Sequence, residues 1–392
     1  MRIAVVSNTA WNLFNFRLNL MRELQAAGHE VIGVAPHDDY VERIRAAGFP
    51  VEVVPISGDG TNPLTELGSV QGLWRAFRRR RVELALSYTP KGNLYTALAC
   101  LASGRAFVPN VSGLGRTFIS KSAATHVVSV LYRLTLRHGR RVFFQNATDL
   151  QTFVERGLVP SARAGLLPGS GVDLRRFTPR SLPSAPGQGP VFLLIARMLW
   201  DKGVGEFVDA ARTVRRQVPG ARFRLLGSLD VDNPSTIAAA QVHDWVQEGV
   251  IEYLGVTDDV RDAIAQADAV VLPSYREGMP RTLLEAAAMG RPVITSDAPG
   301  CRDAVLDGQT GFVCGTRSAT DLADKLLRFA ALSPEHRHAM GRAGRAFVEA
   351  RFDERLVVAR YLEVVSEVAG GTAAPHGAAA SASRNPPSAR PN

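Results

Sequence analysis

Short runs of apolar, largely β-branched residues alternate along this chain with stretches whose apolar positions recur every three or four residues. In the first half RIAVVSN, EVIGVAP, PVEVVPI, VELALSY, RAFVPNV and RRVFFQN read as strands; in the second, PVFLLIAR, ARFRLLG, IEYLG, DAVVLPS and RPVITSD do the same. The intervening segments carry helical period, as in FRLNLMRELQAAGH, where Leu18, Met21, Leu24 and Gln25 fall at helical spacing. Continuously apolar strands separated by helices predict parallel sheets covered on both faces. Right-handed crossovers make such sheets doubly wound. The predicted class is α/β, with two Rossmann-like domains facing across a cleft.

Punctuation divides the pattern. RSLPSAPGQGP, rich in Pro, Gly and Ser, reads as a linker. The predicted organisation is a first domain over 1–180, a linker over 181–190, a second domain over 191–352 and a last amphipathic helix over 353–369. The low-complexity stretch 370–392 is expected to be disordered.

A length of 392 residues suits two domains. Residues 1–180 hold 23 Lys and Arg against 12 Asp and Glu, a net of +11, whereas the remainder nets −2. A basic first half implies an acidic partner distinct from that of the second half. The run RAFRRRRVE fits either a basic patch or an exposed helix end whose cations favour the C-terminal dipole. Without an aromatic-rich or zinc-finger pattern, nucleic acid is not the expected partner. Cys100, Cys301 and Cys314 form no CxxC pair and read as reduced thiols. The five-residue apolar run at the N-terminus is too short for a signal peptide, and no stretch approaches about 20 apolar residues. The expected chain is cytoplasmic and soluble, or rests on a membrane surface.

Ligands of open parallel sheets sit beyond the carboxyl ends of the strands. There the sequence SYREGMPRTLLEAAAMG (274–290) sets Glu277 in a loop and Glu285 in a helix predicted over 280–289. Pro280 suits the first turn and Gly290 the stop. The free backbone amides of Arg281, Thr282 and Leu283 make an anion site. A phosphate flanked by hydroxyl-bearing rings would satisfy both glutamates and the helix start, as in a nucleotide-sugar. LLIARMLWDKG adds Arg197 and Lys202 in another strand-end loop, where two cations can clamp the same diphosphate.

ARMLWDKG, followed by PSYREGMPRTLLEAAAMGRPVITSDAPGCRDAVLDGQTGFV, resembles the family 4 glycosyltransferases of the GT-B fold. The resemblance covers about 1–368 and includes GSGVDLRRF. It implies that Arg197 and Lys202 hold the donor diphosphate without a metal ion or other cofactor. It further implies that Glu277 binds the donor sugar, that Gly278 and Met279 contact it with the helix start Arg281–Leu283, and that Glu285 accepts from the ribose. Retention of anomeric configuration is inherited from the same resemblance. UDP-sugar 2-epimerases share this architecture and form one alternative reading; a transferase with a different sugar acceptor is the other.

SNTAWNLFNFR, SYTPKGNLYTA and NVSGLGRTF resemble one bacterial branch that adds an N-acetylated amino sugar to an undecaprenyl-diphosphate-linked sugar. The implied partners are a UDP-N-acetylhexosamine and a polyprenyl-diphosphate-sugar acceptor, met at an anionic membrane surface. Asn8, Arg17, Lys91, Asn93 and Arg116 are the candidates for holding that acceptor. NVSGLG lacks the histidine many relatives place there, so no catalytic histidine is assigned. Trp11, Phe14 and Phe16, with Leu13 and Leu20, fit either a lipid-facing patch or a core face.

Overall fold

A computed structural model describes residues 1–56, 63–114, 123–183, 189–229 and 233–371. Part of the expected linker (184–188), Arg116, and residues 372–392 of the expected tail lie outside the described residues.

The first domain is built on β1 (Arg2–Val6), β2 (Glu30–Ala35), β3 (Val51–Val53), β4 (Leu84–Tyr88), β5 (Ala106–Val111), β6 (Val142–Phe144) and β7 (Ala164–Leu166). They pair in the order β3-β2-β1-β4-β5-β6-β7, every pair parallel. The second comprises β8 (Val191–Ile195), β9 (Arg222–Leu226), β10 (Glu252–Tyr253), β11 (Ala269–Leu272), β12 (Val293–Ser296) and β13 (Gly311–Cys314), in the order β10-β9-β8-β11-β12-β13. These too are all parallel. Strand order reverses between β1 and β4 and again between β8 and β11, which fixes the two crevices where ligands bind such sheets.

The pattern reading passed over β7 and β13, short strands that each contain or begin with glycine. A Cβ on Gly311 would sit 1.7 Å from the Val293 carbonyl oxygen, so only glycine lets β13 close against β12.

The last helix, Glu354–Gly371, extends past the expected limit at 369 and returns to the first domain. Val357, Tyr361, Val364, Val365 and Val368 pack into the core with Ile3, Leu84 and Phe143. The two chain crossings meet where Val172 N–H donates to Phe352 O and Glu354 N–H donates to Val172 O. Arg291, 0% exposed, donates to the carbonyls of Arg180, Ser181, Ile264 and Ala265, fastening the start of the Pro-rich segment to the second domain.

Surface expectations resolve in the same way. Glu52, buried in the first domain, pairs with both Arg79 and Arg80, so part of the arginine run is neutralised locally. Leu13 and Leu20 join the core with Phe14 packed against it, while Trp11 stays exposed, edge-on to Phe16. No helix among the described residues is long and apolar enough to cross a membrane.

Candidate active site

The loop leaving β8 carries Arg197, exposed, then a single turn Trp200–Lys202 ending at Gly203 with φ 72°. A Cβ at Gly203 would lie 2.2 Å from Pro273 O, so glycine allows this loop to press on the one leaving β11. Tyr275 N–H and Ser274 Oγ both donate to Asp201 O, at 2.9 and 3.1 Å, and lock the loops together. Lys202 Nζ thereby reaches Glu277 Oε1, a contact with both side chains mostly buried. The loop after β12 braces the backbone of the same residue: Glu277 N–H donates to Pro299 O at 3.1 Å. Gly300 there approaches so closely that its Cβ would meet Gly278 O at 2.4 Å.

The helix spans Arg281–Ala288, with Pro280 one residue outside it as N-cap rather than in its first turn. The expected trio of free amides shrinks to two. Leu283 N–H donates to Pro280 O, a tight closing of the first turn, while Arg281 and Thr282 amides take no backbone acceptor among the described residues. The Leu283 side chain is in the core. Glu285 is 8% exposed, and burial pushes its carboxyl above its usual range against the pull of Arg281, whose Nε lies 2.8 Å away. Arg281 also donates to Asn15 O of the first domain and lies over the Phe16 ring, so it bridges the lobes. Met279 packs on Gly169.

Sequence reading missed what holds the Glu277 loop from across the cleft. Asn146 donates to Gly278 O at 2.9 Å, and Asp149 pairs with Arg276. Asn146 also caps the helix Ala147–Glu155 by accepting from Asp149 N–H. That Asn-x-x-Asp spacing after RRVFFQN was the available signal.

The first-domain candidates separate. Asn8 is half-buried just after β1, where Thr9 caps the helix Ala10–Ala26. Arg17 is 3% exposed. Lys91 pairs with Glu66 at 2.9 Å. Asn93 departs from the expectation of a ligand-facing amide: it is 1% exposed, accepting from Ser87 Oγ and donating to Asn110 O. No group of three His, Cys, Asp or Glu side chains arranged to hold a metal occurs among the described residues.

Residues 16–169 match the model of the glycosyl transferase 4-like domain, and residues 189–331 that of glycosyl transferases group 1. The chain belongs to the glycosyltransferases. This glycosyltransferase is 28% identical over 387 residues to the N,N'-diacetylbacillosaminyl-diphospho-undecaprenol alpha-1,3-N-acetylgalactosaminyltransferase of Campylobacter jejuni, covering 94% of this chain and 99% of the relative. It is 37% identical over 199 residues to the D-inositol 3-phosphate glycosyltransferase of Actinosynnema mirum, 46% of each chain. A Rickettsia africae glycosyltransferase superposes with TM-score 0.76 at 18% identity, over 94% of this chain and 98% of that one. Anabaena HepE, solved in complex with UDP and glucose, superposes with TM-score 0.75 at 17% identity, over 93% and 99%. These structural likenesses establish the shared fold, GT-B.

Proposed function

We propose that this glycosyltransferase moves an N-acetylhexosamine from a UDP-sugar to a polyprenyl-diphosphate-linked sugar, with retention and without a metal ion. The observation that carries the reading is the meeting of Lys202 and Glu277 at the reversal point of the second sheet, with Arg197 on the same loop as Lys202 and a helix start after Glu277. The acceptor class is supported by the name of the C. jejuni relative, which matches almost end to end.

In this mechanism Arg197 and Lys202 face the donor diphosphate, whose negative charge grows as the bond from the anomeric carbon to the phosphate oxygen breaks. Fixed cations there replace a metal electrostatically. The acceptor hydroxyl bonds to the anomeric carbon on the face the diphosphate leaves, and its proton passes to the departing phosphate oxygen. Glu277 holds the sugar hydroxyls and offsets the positive charge at the anomeric carbon. Gly278 and Met279 line the sugar, Arg281 and Thr282 amides meet phosphate, and Glu285 accepts from the ribose. The net +11 of residues 1–180 attracts an anionic leaflet, at roughly 1 kcal/mol per surface cation, giving peripheral attachment at the cytoplasmic face.

Turnover of a UDP-sugar panel in EDTA, with and without a short polyprenyl-diphosphate-sugar, tests the reading by product mass. A product one N-acetylhexosamine heavier, formed only with the lipid acceptor, is expected. Conversion of the UDP-sugar to an isomer without acceptor would replace the reading with that of an epimerase.

A further inference from the structure

The reversal point of the first sheet, between β1 and β4, collects buried polar groups that have no partner among the described residues. Arg17, on the helix after β1, is 3% exposed, with its guanidinium carbon 3.8 Å from the centroid of the Tyr88 ring at the end of β4. Its Nε makes no hydrogen bond, and no carboxylate among the described residues pairs with it. A guanidinium taken out of water without a counter-charge is costly, so such an arginine marks a place that an anion fills. Ser7 follows β1, beside Tyr88 in the register that pairs Val6 with Ser87; it is 0% exposed and its hydroxyl has no partner.

Thr89 lies between β4 and the helix Pro90–Leu101 with φ 68°, a left-handed conformation that strains a β-branched residue. Its Oγ1 is buried and unbonded, so the helix start has no side-chain cap. A Cβ on Gly92 would sit 2.9 Å from that hydroxyl, which places Thr89 over the first turn. A helix start that Thr89 does not cap, and two hydroxyls and a guanidinium without partners among the described residues, thus share one crevice, where open sheets bind ligands.

We propose that this crevice binds a diphosphate, that of the lipid-linked acceptor, with Arg17 as its counter-ion and the hydroxyls of Ser7 and Thr89 and the Gly92 amide as its hydrogen-bond donors. The assignment of the diphosphate to the acceptor rests on the functional reading above; the diphosphate chemistry rests on the crevice itself. The crevice would hold the diphosphate of the acceptor while the second sheet holds that of the donor.

The test is calorimetric titration of inorganic pyrophosphate into the full chain saturated with UDP. The wild type should bind one equivalent, and Arg17→Gln should bind at least about tenfold more weakly, as expected for loss of a charge-assisted contact. Ser7→Ala removes a hydroxyl that bonds to nothing, keeps the fold, and should weaken binding several-fold. UDP affinity should not change in either variant, while KM for the polyprenyl-diphosphate-sugar rises and KM for the UDP-sugar holds. Wild-type pyrophosphate affinity in a folded Arg17→Gln variant would overturn the proposal, as would an unaltered Ser7→Ala if Arg17→Gln fails to fold. Loss of pyrophosphate binding once UDP is present would overturn it too, by giving the crevice to the nucleotide. Arg17-dependent pyrophosphate binding without transfer to any polyprenyl-diphosphate acceptor would uphold the diphosphate site and overturn the functional reading instead.

Discussion

Arg276, the residue before Glu277, sets its guanidinium against the fully buried carboxylate of Asp149, so the loop carrying Glu277 is ion-paired to the opposite domain. Burial raises the Asp149 carboxyl above its usual range, and Arg276 opposes the rise. Arg276→Ala should therefore cost about 3 kcal/mol by stranding a buried charge. The sign follows from the raised folded-state pKa. The deficit should be small below the unfolded value near 3.8 and grow as pH rises through the folded one. Adding Asp149→Asn should restore part of the loss at neutral pH. Urea unfolding of both variants at pH 4 and pH 7 checks this; a deficit independent of pH would remove Asp149 as the cause.

For the donor site, Arg197→Ala, Lys202→Ala and Glu277→Ala should each lower kcat by about 100-fold or more while the protein stays folded. Glu285→Ala should instead weaken UDP binding more than it slows turnover. Steady-state kinetics with calorimetric UDP titration separates the two patterns. Retained turnover in the first three variants would sink their assignment.

Gly278 lies hard against the first domain: a Cβ there would lie 2.1 Å from Ser112 O. Gly278→Ala should displace the Glu277 loop and reduce kcat/KM by about 100-fold, the scale of an ångström misplacement. Exposed Gly68, in the helix Pro63–Arg79 with nothing within 4 Å of its Cβ position, is the control. Its change to alanine should stabilise by about 0.5–1 kcal/mol with activity intact. Equal losses in both variants would remove the contact argument.

Tyr361 of the last helix is 0% exposed, packs edge-on to Phe143, and accepts from Asn110 Nδ2 at 2.9 Å. Tyr361→Ala should destabilise by about 3–5 kcal/mol. Tyr361→Phe keeps the ring but leaves the Asn110 amide unpaired, for about 1–2 kcal/mol. Denaturant melts read both, and a neutral Tyr361→Ala would mean the helix adds nothing to the first domain.

Cys100, Cys301 and Cys314 are all buried, and burial pushes each thiol up to about 12. At pH 8 only about one in 10⁴ would be thiolate. A thiol-reactive disulfide reagent should find none in the native protein and three after denaturation. Rapid native labelling would show that one of these sites opens.

The sequence by itself determined the two parallel sheets, because strands buried on both faces must be apolar throughout and helices between them must show period 3.6. It also marked Arg197, Lys202, Glu277 and Glu285, since ionisable groups at strand ends and a Pro-led helix start announce themselves locally. Tertiary structure alone decided that the last helix completes the first domain's core, because an amphipathic face does not name the surface it covers. Only tertiary structure could place Asn93 inside, bury Arg17 with no counter-ion among the described residues, and join Arg276 to Asp149. Those outcomes depend on which side chains lie within a few ångströms across 127 residues of chain, a distance that no local pattern encodes.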